Sequence, residues 1–162
     1  MQEWIARLAS SDTSIAAEAA EALCKLGREA HSAAIALVRA TGTRDESVRV
    51  WVTAALEEIG PAAGEQVDEL IPLLTDTSSE VSFWAATLLG RAEAAAAPAV
   101  GALARLVGES PQRSTRERAA WALGKIGPAA ATALPALHTA AASNEPRLSG
   151  LAKAALVAIS TK

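Results

Sequence analysis

The sequence predicts an all-α protein, a right-handed α-α superhelix of about four and a half two-helix repeats. Three observations lead to this fold. The first is a recurring phrase: Ala22-Leu23-Cys24-Lys25-Leu26-Gly27, Ala55-Leu56-Glu57-Glu58-Ile59-Gly60, Ala122-Leu123-Gly124-Lys125-Ile126-Gly127 and Ala155-Leu156-Val157-Ala158-Ile159-Ser160. A degenerate copy stands at Leu88-Leu89-Gly90-Arg91-Ala92-Glu93. The copies end at 27, 60, 93, 127 and 160, a spacing of 33 or 34 residues. Such a period marks stacked supersecondary units, none of which buries its apolar face alone. The second observation is composition. Alanine fills 41 of the 162 positions, while Phe occurs once and Tyr not at all, so the core is thin and aliphatic. Alanine is the best helix former and lets helices approach closely. The third is punctuation: Gly60-Pro61 and Gly127-Pro128 each pair a left-handed stop with a residue that blocks resumption of the helix.

The expected organisation is a single domain over 1–162, with repeats at about 12–41, 45–76, 78–108 and 112–142 and partial repeats at 1–9 and 145–162. The chain starts with a partial second helix over about Gln2 to Ala9, where Trp4, Ile5 and Leu8 match Leu70, Ile71 and Leu74. A first helix follows and ends at Gly27, which precedes Arg28 rather than proline. The next first helix runs from about Glu46 to Ile59, and Val48, Val52, Ala55, Leu56 and Ile59 fall on one helical face. Asp45 is its expected cap. Its partner helix covers about Gly64 to Thr75 and buries Val67, Leu70, Ile71 and Leu74. Pro72 sits inside it and is expected to bend it. A polar turn, Thr75 to Ser79, leads into the third repeat. There Glu93 replaces the stop glycine, and helix formers continue to Pro98, so a longer or poorly defined turn is expected. One extra residue in Gly108 to Arg113 is expected to change the superhelical twist. Ser114-Thr115-Arg116-Glu117 reads as a capping box and Asn144 as a cap. The last first helix spans about Leu148 to Ser160. Trp4 and this final helix are candidates for exposed apolar surface, to be covered by self-capping, by a longer array or by a homo-oligomer.

Charge and motif content narrow the function classes. The net charge is −3, and the densest basic run, Arg113 to Arg118, is interrupted by Glu117, so no basic stripe for nucleic acid is expected. No run of 18 apolar residues occurs, so no membrane span is expected. The N-terminus lacks the basic and apolar regions of a signal peptide and Cys24 is the single cysteine, which points to a reducing, cytoplasmic setting. Neither His31 nor His138 has a carboxylate or second histidine at ligand spacing, so no metal or other cofactor is expected. No G-x-S-x-G, phosphate-cradling glycine loop or H-E-x-x-H is present.

The phrases Ala-Leu-x-x-Ile-Gly-Pro-Ala-Ala and Ala133-Leu134-Pro135-Ala136-Leu137 resemble the HEAT-repeat and HEAT-like α-solenoids, from Trp4 to Ser160. The resemblance implies a non-catalytic scaffold whose second helices line a concave face that binds a protein or peptide. Carried onto this sequence, that face presents Arg39 in one repeat, Glu65, Asp68 and Glu69 in the next, and Arg105 beyond. It suits a basic or mixed-charge peptide, unless these are solvated positions only. Trp51, Trp84 and Trp121 lie on first helices, as partner anchors or as filling between neighbouring helices. Trp121 falls on a position usually exposed, which makes it a partner-binding candidate. Two further readings stand beside peptide capture: self-association through the convex aromatics or the open ends, and a lyase-type subunit. Among HEAT-like enzymes, bilin lyases share the short repeats but no residue set here marks a chromophore site, deoxyhypusine hydroxylase needs His-Glu steps absent here, and alkylpurine DNA glycosylases need a basic groove, against which the acidic balance argues.

Overall fold

A computed structural model describes residues 1–62 and 64–161. Ala63, the last residue of the first Ala-Leu-x-x-Ile-Gly-Pro-Ala-Ala phrase, and Lys162, the end of the partial repeat 145–162, lie outside the described residues. These fall into two compact units, Met1–Ala62 and Ala63–Lys162. Helices and 3₁₀ turns make up the architecture, with no strand among the described residues.

The N-terminal unit holds α1 (Gln2–Leu8), α2 (Thr13–Leu26), α3 (Ala34–Ala40) and α4 (Glu46–Glu58). α1 packs on α2, α2 on α4, and α3 on α4. The C-terminal unit holds α5 (Gly64–Leu73), α6 (Ser79–Arg91), α7 (Val100–Glu109), α8 (Arg113–Ile126), α9 (Leu134–Ala141) and α10 (Pro146–Ser160). In it α6, α8 and α10 stack in turn, and α5, α7 and α9 each pack on the first helix that follows. The two-helix repeat is therefore present in both units. Their cores are the expected thin aliphatic layers. Leu23, Leu37, Val52 and Leu56 are fully buried in one, and Leu70, Leu88, Leu103, Leu123 and Leu137 in the other. Buried alanines such as Ala19, Ala85, Ala119 and Ala152 bring the helices close.

The second helices differ from expectation at their starts. Three of them open on a seven-residue 3₁₀ turn: Gly27–Ala33, Glu93–Ala99 and Gly127–Ala133. Gly27, Gly60 and Gly127 take positive φ, and so does Glu93, at φ +49°. The longer or poorly defined turn expected at Glu93 is thus corrected. Glu93 adopts the glycine conformation, its turn has the same length as the other two, and Pro98 is accommodated within it. Pro72 also behaves differently. α5 stops at Leu73, so the proline shapes the end of the helix rather than its middle. The chain closes there with short-range bonds, Leu74 N–H to Ile71 O and Asp76 N–H to Leu73 O, both 3.2 Å.

Caps divide in the same way. Asp45 caps α4, accepting from Val48 N–H at 3.0 Å and from the Ser47 hydroxyl at 2.6 Å. Asp12 caps α2 through Ser14 N–H at 2.9 Å. The capping box at Ser114 to Glu117 does not form, because α8 begins earlier, at Arg113 after Gln112. Asn144 is not a cap either; Glu145 occupies that place before α10.

Candidate functional site

Glu65, Asp68 and Glu69 lie on α5, all exposed. Their i, i+3, i+4 spacing puts the three carboxylates on one helical face. The inward face of the same helix is held by Val67 and Leu70. Arg39 is exposed on α3 of the N-terminal unit. Arg105 is exposed on α7, one turn before Glu109.

Arg105 and Glu109 stand between two recesses of the C-terminal unit. One, of about 360 Å³, lies where the α5–α6 turn meets α7 and α8, with Asp76, Ser82 and Thr115 in its wall. Ser82 donates to the Asp76 carbonyl at 3.2 Å and so ties the turn to α6. Thr115 is 1% exposed and its hydroxyl has no hydrogen-bond partner. It occupies the position held by Val81 on α6 and Leu148 on α10, where an aliphatic side chain fills the core. The other recess, of about 560 Å³, lies between α7, α9 and the start of α10, with Arg116, Thr139 and Ser143 in its wall. The Ser143 hydroxyl is likewise buried without a partner. Sequence patterns identified Arg105 but not Glu109, Thr115 or Ser143. The one signal for Thr115 is a polar residue in an aliphatic column.

The basic run at the start of α8 is occupied internally. Arg116 grips both oxygens of Glu145 at 2.6 and 2.7 Å and donates to the Ser110 carbonyl at 2.8 Å. Glu117 accepts from Arg113 at 2.8 Å and pairs with Arg147 at 3.2 Å. Partly buried, charge-assisted networks of this kind hold geometry better than isolated surface pairs. They pin α10 to α8.

Trp121 lies in a different place from the polar residues above. It is half-buried on α8 and covers Gly90 of α6. Arg118 stacks over it at 4.9 Å and over Phe83 at 4.4 Å. Arg105 lines the two recesses above, whereas Trp121 lines two others, one of them shared with Phe83 and Arg147. Trp84 is 6% exposed, whereas Trp51, at the equivalent position of α4, is 36% exposed. No group of three metal-ligating side chains occurs among the described residues, and no helix there is long and apolar enough to cross a membrane.

No curated protein matches the chain by sequence. Among solved structures it is similar to an engineered protein from the Northeast Structural Genomics Consortium, with 24% identity, TM-score 0.66, and coverage of 98% of this chain and 78% of that one. It is similar to a chain in the complex of CpcE and CpcF of phycocyanin lyase from Nostoc sp. PCC7120, with 27% identity, TM-score 0.66, and coverage of 99% of this chain and 65% of that one. This chain therefore spans less than two thirds of that lyase chain. A chain from the structure of microtubule plus end tracking by XMAP215, CLIP-170 and EB1 shares 17% identity at TM-score 0.65, covering 99% of this chain and 75% of that one, and speaks to the fold alone. The family model for HEAT repeats matches residues 67–157, more than half of the chain. With the repeating helix pairs described above, this match establishes that the chain belongs to the HEAT-repeat family.

Proposed function

We propose that this chain is a non-catalytic interaction module that captures a basic or mixed-charge peptide segment of a partner protein on its second helices. The observation that supports this most is the exposed acidic face of α5, with Glu65, Asp68 and Glu69 as anchors. α5 leads directly into the 360 Å³ recess beside Arg105, which offers room for side chains of a peptide lying along α5. Arg105 gives the mixed-charge character, while Arg39 on the N-terminal unit and Trp121 on α8 are separate contacts for other parts of a partner. Binding of this kind is steered by charge and weakens with salt.

The test is fluorescence anisotropy with labelled Lys/Arg-rich peptides. The expected result is saturable binding, weakened at least about tenfold in the Glu65→Lys, Asp68→Lys, Glu69→Lys variant and unchanged in a Glu3→Lys control. Equal binding by parent and triple variant would sink the proposal. A second reading, a subunit of a lyase-type complex, draws on the 27% identity to the phycocyanin lyase chain over 99% of this one. In that reading the chain positions a partner subunit rather than supplying the reacting groups.

A further inference from the structure

The stacking inside the C-terminal unit follows a fixed register. A Cβ at Gly90 of α6 would lie 3.0 Å from Ala122 Cα of α8, and a Cβ at Gly124 of α8 would lie 3.1 Å from Ala155 Cα of α10. In both junctions the residue three before the phrase end receives the residue five before the phrase end of the next first helix. The receiving stripe on α10 is Val157, Lys153, Gly150 and Pro146, and every one of them is exposed, Val157 to 68%. The matching incoming stripe on α2 is Ala22, Glu18 and Ile15. Ile15 is an exposed large hydrophobic residue at 36%, and the Glu18 side chain is 62% exposed.

These two stripes are complementary, and we propose that a second copy of this chain docks head-to-tail, with α2 of one copy stacked on α10 of the other. The same axial register, at a wider helix spacing that Val157 requires, sets Ala22 against Val157, Glu18 beside Lys153 and Ile15 over Gly150. The charges are opposite. Glu18 accepts from Arg7 at 2.7 Å on one side and still offers a solvent edge to Lys153. Ile15 meets a residue with open space around it, since nothing lies within 4 Å of a Cβ built at Gly150. A side chain at the Val157 position is compatible with stacking. Cys24 holds the same place on α2 and is half-buried, and α2 nevertheless packs on α4. The docked copy also brings α1 to the flank of α10. α1 has the second-helix pattern and packs on α2 as α9 packs on α10, so the contact assembles the two-helix unit that recurs within the chain. The interface is heterologous and extends into linear chains unless its rotation closes a ring.

Sedimentation velocity over a concentration series at low salt tests this. The parent is expected to form concentration-dependent oligomers that dissociate as salt rises. Lys153→Glu and Glu18→Lys each weaken association at least about tenfold, and an equimolar mixture of the two recovers it, because every junction regains opposite charges. Gly150→Arg adds bulk on the stripe without an internal clash and abolishes association while leaving the thermal melt intact. The acidic α5 triple variant associates like the parent, which separates this contact from peptide capture. A parent that stays monomeric throughout would overturn the proposal and leave the α10 face to a different protein. Association that survives both charge reversals would also overturn it.

Discussion

At the scale of single residues, the stop position of each repeat is a conformational choice before it is a chemical one. Glu93 holds φ +49°, where an L side chain crowds the backbone at a cost of about 1–2 kcal/mol. Replacing it with glycine removes that strain and adds back some unfolded-state freedom, so Glu93→Gly is expected to stabilise the fold by roughly 0.5–1 kcal/mol in urea titration. The reciprocal change, Gly127→Ala, forces a Cβ onto φ +69° and is expected to destabilise by about 1 kcal/mol. Equal stability of all three proteins would show that the left-handed turn is not needed. Asp45 offers a second readout. The Ser47 hydroxyl, and then Val48 N–H, lower its carboxyl from the ordinary value. A carboxyl lowered in the folded state stabilises above its unfolded pKa, near 3.9, and that contribution disappears as pH falls through the folded value. Asp45→Asn is therefore expected to lose less stability than the parent on acidification below about pH 4. Superimposable pH–stability curves would refute the role of the cap.

At the scale of elements, helix number, order and face were legible in the sequence, because the 3.6-residue pattern and the Gly-Pro stops are local signals. Val48, Val52, Ala55 and Leu56 are all buried as the spacing requires. What was not legible depends on contacts distant in sequence. The Ser114–Glu117 box has the right letters, yet Arg116 is drawn to Glu145 and the Ser110 carbonyl, and Glu117 to Arg147, so the helix starts at Arg113 instead. The role of Gly90 was likewise hidden. A Cβ there would stand 2.4 Å from Trp121 Cζ3 and 3.0 Å from Ala122 Cα. Gly90→Ala therefore pushes α8 off α6 and is expected to cost about 1–3 kcal/mol, despite alanine's better helix propensity. Adding Trp121→Ala relieves the indole clash but not the approach of the Ala122 backbone, so the double variant should show a positive coupling well short of full recovery. A stabilising Gly90→Ala would mean that the two helices are not in this contact. The candidate site shows the same division. The spacing of Glu65, Asp68 and Glu69 put them on one face, but the recess beside Arg105 is built from three helices, α6, α7 and α8, and the turns before α6 and α8, and no local pattern announces it.

At the scale of the whole molecule, a repeat protein draws its stability from each repeat and from nearest-neighbour contacts, so a core defect weakens its own neighbourhood most. The two compact units give this a direct test. Leu23 is fully buried in the N-terminal unit, and Leu123 stands at the matching phrase position in the C-terminal unit, also fully buried. Leu→Ala at either position removes core contacts worth about 2–5 kcal/mol. Hydrogen exchange should report the two defects in different places. Leu23→Ala is expected to speed exchange in α2 and α4 well before α8 and α10, whereas Leu123→Ala should reverse that order. The ion pairs of Arg116 with Glu145 and of Arg147 with Glu117 tie α8 to α10, so those two helices should lose protection together. Uniform acceleration across both units in each variant would show instead that they unfold as one cooperative body. Graded, local acceleration would make the chain an array whose parts can open separately.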